Sequence, residues 1–168
     1  MKKNVAILMG GFSSEKDISL KSGEVIYQNI NRSKYNPYKI IVKKDNWIYL
    51  NDHNQEFDVN LEDFSIISNN TKIKLEVAFI IIHGSPGENG LIQSYFELKN
   101  IPYTGCNSYT SALTFNKRDC LSILEKHDIP TANSFHINKN EKFETDHIIQ
   151  KVGLPCFVKA NRSGSSFG

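Results

Sequence analysis

No stretch of this chain is both apolar and long enough to cross a bilayer. The longest uninterrupted apolar run is Val77 to Ile82, whereas a spanning helix needs roughly twenty such residues. The opening Met1-Lys2-Lys3 imitates the basic head of a secretory leader. The apolar Val5–Met9 behind it is short, however, and runs into Gly10-Gly11 and then Glu15-Lys16-Asp17, so no signal peptide is expected. Basic blocks are missing too. Twenty Lys and Arg against eighteen Asp and Glu leave a net charge of +2, which argues against a nucleic-acid or anionic-membrane partner and leaves small anions open. Cysteines are few, three in all, at Cys106, Cys120 and Cys156. An odd number without a CxxC argues against a disulfide framework and a zinc site, and predicts reduced thiols in a cytoplasmic protein with no metal-ligating set. There is no GxxxxGK[ST] and no GxGxxG after the first strand, so the Walker loop and the dinucleotide fingerprint are both absent. Gly84, Gly87 and Gly90, spaced by three, do not restore the latter. Internal repeats and low-complexity tracts are likewise absent.

What remains is the composition of a globular protein. The 168 residues are 39% hydrophobic and 23% charged, enough for one ordinary domain or two small ones. A chain of this length buries roughly 70% of its unfolded surface. Asn4–Met9 reads as a short buried strand closed by Gly10-Gly11. Ser13 and Ser14 are N-cap candidates with Asp17 in a near capping box, and Ile18, Ser22, Val25, Ile26 and Ile30 recur at helical spacing. Tyr38–Val42 reads as a second strand, with Trp47–Leu50 as part of a short hairpin. Residues 51–71, rich in Asn and Asp, are expected to be loop or irregular. Leu75–Ile82 is the strongest strand, and its lack of alternation fits a strand covered on both faces of a parallel sheet. A helical stretch to Lys99 follows the Gly-rich segment 83–90. Beyond the break at Ile101–Gly105 come helical patches at Ser108–Phe115 and Lys117–His127. A strand at Ser134–Ile137, a helix near Thr145–Val152 and a last strand at Cys156–Lys159 complete the pattern. Alternating strands and helices predict an α/β fold, with a first domain over 1–105 and a second over 106–168. The second ends in a Gly/Ser loop and would lack most of a sheet, so the chain reads as the front half of a larger protein.

Several residues carry possible chemistry. The loop Lys159–Gly168 combines glycine-freed amides, serine hydroxyls and two cations, a composition suited to a polyphosphate, although a solvated surface loop has the same composition. Glu15 sits at a helix start, where the dipole alone favours a carboxylate, yet also at the sheet edge where α/β folds place ligands. His83 ends a buried strand at that same edge. Lys117 and Arg118 open a helix against its dipole, a local conflict that points weakly to an anion. Lys159 either snorkels to water or meets a phosphate. From the residues alone, this is a two-part α/β protein with an anion site and a carboxylate–histidine pocket.

Read in order, the segments resemble one family. Val5–Ser19, with its Gly10-Gly11-Phe12-Ser13-Ser14-Glu15, is similar to the opening motif of D-alanine–D-alanine ligases. His83-Gly84-Ser85-Pro86-Gly87-Glu88-Asn89-Gly90 resembles their HGxxGEDG. Ile101–Gly105, Ser111-Ala112, Asn116-Lys117, Ile129-Pro130-Thr131 and Val158-Lys159 through Gly164-Ser165-Ser166-Phe167-Gly168 follow in the family's order.

The resemblance implies a parallel-sheet, Rossmann-like pre-ATP-grasp domain followed by an incomplete ATP-grasp domain. It further implies a ligase of peptidoglycan precursor synthesis that uses ATP and Mg2+. ATP phosphorylates one D-alanine, and the amine of a second attacks the acyl phosphate. By matching motif, Glu15 would hold the first D-alanine's ammonium and His83 would help position that substrate. Lys117 and Lys159 would bind ATP phosphates. Ser165 would orient Glu15 and substrate, and Ser166 with the backbone at Gly164 would cover the transferring phosphate. A homodimer is implied as well. Asn89 and Asn116 stand where the family usually has Asp, and Ala160 stands where it has Pro. The half of the pattern that carries the adenine pocket, the Mg2+ ligands, an arginine and a lid tyrosine has no counterpart in these residues, so this chain alone is expected to be inactive. A D-alanine–D-lactate ligase and a non-catalytic binding module are the competing expectations.

Overall fold

The apolar run within Asn4–Met9 predicts a short buried strand, and the structure agrees: it forms the middle of the three parallel strands. In a computed structural model that describes residues 1–68 and 70–163, β1 (Lys3–Gly10) is buried along its whole second half, with Ala6, Ile7 and Leu8 fully inaccessible. The chain divides into two compact units, Met1–Ala112 and Leu113–Gly168.

In the first unit β1 pairs in parallel with β2 (Tyr35–Val42) on one side and β7 (Val77–Ile80) on the other. The sheet then continues away from β2 as an antiparallel meander, β3 (Trp47–Leu50), β4 (Glu56–Asn60), β5 (Ser65–Ser68) and β6 (Thr71–Lys74), giving the order β6-β5-β4-β3-β2-β1-β7. The α/β class holds, but the parallel portion is confined to three strands. Pro37 is tolerated inside β2 because β3 pairs only with Lys39 to Val42. The missing N–H of Pro37 therefore interrupts no ladder on that side. The outer edge of β7 is covered by 102–104: Ala78 N–H donates to Pro102 O at 2.9 Å and Thr104 N–H to Ala78 O at 3.0 Å.

Residues 51–71, expected to be irregular, hold β4 and β5 and reach the start of β6. The polar residues that suggested a loop are the turns between strands. Asn51 Oδ1 accepts from His53 and Gln55 N–H, both at 2.9 Å, and Asn60 Oδ1 accepts from Glu62 N–H at 2.8 Å, the side-chain turns that Asn readily makes. The strands themselves are short and alternate in two-residue steps, as in Glu56-Phe57-Asp58-Val59-Asn60, where only Val59 is buried. The meander is closed by an aromatic cluster with α2 (Leu91–Leu98). Phe64 and Phe96 have ring centroids 5.1 Å apart, and Trp47 and Tyr95 lie at 5.4 Å.

Helix α1 (Lys16–Asn29) packs on β1, but not through the stripe the sequence suggests. Ile18 and Val25 are exposed, while Ser19 and Gly23 are the buried residues. A Cβ on Gly23 would fall 2.6 Å from Met9 Cε and 2.8 Å from Met9 Cβ. Small residues let the helix axis approach the strand more closely than a branched side chain would allow.

The second unit contains α4 (Lys117–Lys126) and α5 (Thr145–Val152), after α3 (Ser108–Phe115), which carries the division between the units. Two expected strands are not formed here: Ser134–Ile137 and Cys156–Lys159 have no regular structure. Phe157 and Val158 are each 90% exposed. A strand needs a neighbour to take its amides and carbonyls, and no described residue of this unit supplies one. Apolar character alone did not make these segments strands.

Candidate active site at the carboxyl edge of the parallel strands

Because β1 and β7 are parallel neighbours, with Leu8 opposite Ile80, the chain leaves both at the same edge of the sheet. The turn after β1 carries Glu15 and the loop after β7 carries His83, so the two sequence candidates are brought to one rim. Glu15 is the N-cap of α1, without a side-chain capping bond, and both Glu15 and His83 are half-buried.

The two loops are laced together. Phe12 N–H donates to Ser85 O at 2.9 Å. Ser13 Oγ donates to His83 O at 2.7 Å and accepts from Glu15 N–H at 3.2 Å. Gly84 lies between them at φ +71°, and a Cβ there would sit 2.8 Å from Ser13 Cβ and 3.5 Å from Glu15 Oε2. The left-handed backbone and the crowding both require glycine. They also place the Glu15 carboxylate over the residue that follows His83.

Further residues, not singled out in the sequence, hold this rim. Ser19 is fully buried; its Oγ accepts from Gly10 N–H at 2.9 Å and donates to Ile81 O at 2.8 Å, closing the last polar groups of β1 and of the segment after β7 with one hydroxyl. Glu88 Oε2 accepts from Gly84 N–H at 2.8 Å, and Glu88 N–H donates to Gly84 O at 2.8 Å. Gln93 on α2 donates from Nε2 to Gly87 O at 2.5 Å. Ser19 and Gly23 stand four apart on the one buried face of α1, and this pair of small residues at helical spacing is the signal that marks Ser19. Asn89, in place of the family's Asp, donates from Nδ2 to Ser85 Oγ at 3.0 Å, a bond in which a carboxylate could only accept.

In the second unit the cations suggested for phosphate stand in a different setting. Asn116 caps α4: its Oδ1 accepts from Asp119 N–H at 3.4 Å, and its Nδ2 donates to Asp119 Oδ2. Asn161 completes the cap from the far end of the unit. Its Oδ1 accepts from Arg118 N–H at 2.8 Å, its Nδ2 donates to Asn116 Oδ1 at 2.8 Å, and its carbonyl accepts from Lys117 N–H at 3.3 Å. The first-turn amides of α4 therefore have protein acceptors, which leaves side chains rather than the helix end to meet an anion. Lys117 Nζ donates to Ser163 O at 2.9 Å, and Lys159 Nζ lies 5.4 Å from the centre of the Phe157 ring. The other phosphate candidates, Gly164, Ser165 and Ser166, lie outside the described residues. Among the described residues no three His, Cys, Asp or Glu stand together as a metal cage, so these side chains do not fit a Mg2+ ion. No described helix is long and apolar enough to cross a membrane.

Comparison with known proteins gives this geometry a family. The signature described as D-ala D-ala ligase N-terminus matches residues 4–106, which include β1 to β7 and both rim loops. The D-alanine–D-alanine ligase of Flavobacterium johnsoniae is 51% identical over 166 residues, covering 99% of this chain and 51% of that protein. That of Christiangramia forsetii is 47% identical over 168 residues, covering 100% of this chain and 52% of that protein. A crystal structure of the Bacillus anthracis D-alanine–D-alanine ligase complexed with ATP superposes with a TM-score of 0.71 at 26% identity, over 96% of this chain and 48% of that one. The chain thus spans about half the length of the curated relatives it matches. With the signature covering the rim and the whole first sheet, the chain belongs to the D-alanine–D-alanine ligase family.

Proposed function

We propose that this protein joins two D-alanine molecules at the expense of ATP. The observation that carries the reading is the lacing of the Glu15 turn to the His83 loop at one sheet rim, in a chain that belongs to this ligase family. In the proposed reaction a carboxylate oxygen of the first D-alanine attacks the γ-phosphorus of ATP. The P–O bond to ADP breaks and an acyl phosphate forms. The amine of the second D-alanine then attacks the acyl carbon, a C–N bond forms, and inorganic phosphate leaves with the cleaved C–O bond while the nitrogen loses a proton. Positioning and charge stabilisation do most of the work in such a transfer.

In this reading Glu15 accepts hydrogen bonds from the first substrate's ammonium, a charge-assisted contact, and His83 orients the same molecule. Lys117 and Lys159 supply positive charge to the ATP phosphates, while Ser165, Ser166 and Gly164 close over the transferring group and Ser165 also steadies Glu15. An ATP-bound relative among the solved structures supports ATP as the phosphoryl donor. We read the protein as a cytoplasmic homodimer; its cysteines Cys106, Cys120 and Cys156 are free thiols, in keeping with a reducing compartment. Residues 1–168 expressed alone are expected to release no ADP, because the half of the family's pattern that carries the Mg2+ ligands has no counterpart in them.

The test is steady-state kinetics on the protein as its gene encodes it, following ADP release as D-alanine and ATP are varied. Glu15→Gln is expected to raise the requirement for the first D-alanine far more than that for ATP. Equal effects on the two, or no D-alanine-dependent ADP release by the unmodified protein, would overturn the reading.

A further inference from the structure

Two side chains placed at one rim do not by themselves hold a fixed spacing, since each lies on its own loop. Among the described residues, the Ser13 hydroxyl bonds the backbone of both loops. Ser13 has a single hydroxyl hydrogen, directed to His83 O at 2.7 Å, and its oxygen accepts the Glu15 amide at 3.2 Å. Ser13 O also accepts Lys16 N–H at 3.2 Å, which ties the same residue to the first turn of α1. Gly84 keeps room for this bridge: a Cβ added there would lie 2.9 Å from Ser13 Oγ, so any larger residue would displace the hydroxyl. Glu88, the other carboxylate on this loop, is occupied with Gly84 N–H and does not bridge to the Glu15 turn.

We infer that Ser13 is a positioning residue that sets the spacing between the Glu15 carboxylate and the His83 imidazole. It touches no substrate in this reading and acts through the two residues it joins. In the ligase its consequence falls on the first D-alanine alone, whose ammonium and carboxylate ends would be held by groups on the two loops; a misplacement of about 1 Å at such a site costs up to a hundredfold in rate. The inference rests on the reading of Glu15 and His83 as the holders of that substrate, and its test is built to stand without it.

The experiment uses the full-length protein without substrate and follows the His83 imidazole carbon-bound proton signals by NMR at one fixed pH. Glu15→Gln is expected to shift those signals when Ser13 is present. In the Ser13→Ala background the same Glu15→Gln change is expected to move them clearly less, and Ser13→Thr is expected to restore the full effect. If Ser13→Ala does not fold, Ser13→Cys keeps the volume with a weaker donor and supplies the same comparison. An effect of Glu15→Gln that is the same with and without the hydroxyl overturns the inference. In the kinetic arm Ser13→Ala is expected to raise the D-alanine KM by about tenfold and leave the ATP KM within about twofold. An equal rise in both would also overturn it. Should the protein not join D-alanine at all, the proposed function falls, and the NMR comparison still decides whether Ser13 couples the two side chains.

Discussion

Asn161 and Asn116 hold each other across 45 residues of sequence, Nδ2 of the first donating to Oδ1 of the second at 2.8 Å. The same Asn161 accepts the Arg118 amide at 2.8 Å, so the residue that follows Lys159 by two caps the helix that begins at Lys117. The two lysines proposed for ATP are thereby tied to one polar junction. Asn161→Ala is expected to destabilise the second unit by about 1 kcal/mol, the usual size of a lost N-cap contact. Hydrogen exchange at the Arg118 amide should accelerate; an unchanged rate there would mean the cap is not formed in solution.

Ser19 offers a larger effect. It is fully buried and satisfies one donor and one acceptor at the sheet rim. Ser19→Ala leaves Gly10 N–H and Ile81 C=O without that partner, at a cost of about 2–4 kcal/mol. Urea denaturation followed by Trp47 fluorescence measures it. A loss below half a kilocalorie would show that the two groups find other partners.

Gly23 poses the opposite question, since alanine is the better helix former by about 1 kcal/mol. The Cβ would fall 2.6 Å from Met9 Cε, and crowding of this kind typically costs about 1–3 kcal/mol. Gly23→Ala is therefore expected to lower the melting temperature despite the propensity gain. In a Met9→Ala background, which removes the crowded atoms, the same Gly23→Ala change should cost clearly less than in the unmodified protein.

Glu97 and Tyr103 give the first unit a response at both ends of the pH scale. Glu97 Oε1 accepts from Tyr103 O–H at 2.6 Å and from Ser108 N–H at 2.9 Å, and Oε2 accepts from Ser108 O–H at 2.6 Å. The Ser108 hydroxyl, the Tyr103 hydroxyl and the Ser108 amide hold the Glu97 carboxyl below its ordinary 4.5. Its stabilisation is thus present above pH 4.5 and lost as the pH falls through the lowered value. Burial first, and then the Glu97 bond, push the Tyr103 phenol up to about 12, so its contribution is present below pH 10 and lost between 10 and 12. Glu97→Gln should flatten the acid limb of a stability–pH profile; an acid limb that survives the substitution unaltered would assign it to other carboxylates.

Much of this fold could be read before the structure, and the failures have specific causes. β1 and helices α3, α4 and α5 follow their apolar runs and spacing. The segment from 51 to 71 did not, because strands of four or five residues offer too few alternations to outweigh their Asn- and Asp-rich turns. The α1 face was misjudged because the contact is made by Ser19 and Gly23, residues no hydrophobic count detects. Ser134–Ile137 and Cys156–Lys159 carry strand-like residues without strand neighbours, and composition cannot reveal a missing partner. At the rim, Glu15 and His83 were legible from their positions after two strands. Ser13, Glu88 and Asn161 were not, since what they do depends on which loop lies opposite.

Trp47 is the chain's sole tryptophan, and it lies among Phe64, Tyr95 and Phe96, with centroids 6.5, 5.4 and 6.1 Å away. Intrinsic emission excited at the red edge therefore reports on the sheet and α2 and is blind to α4 and α5. A melt watched by this fluorophore and one watched by far-ultraviolet dichroism will coincide only if the two units unfold together, which makes the indole a built-in gauge of their cooperativity.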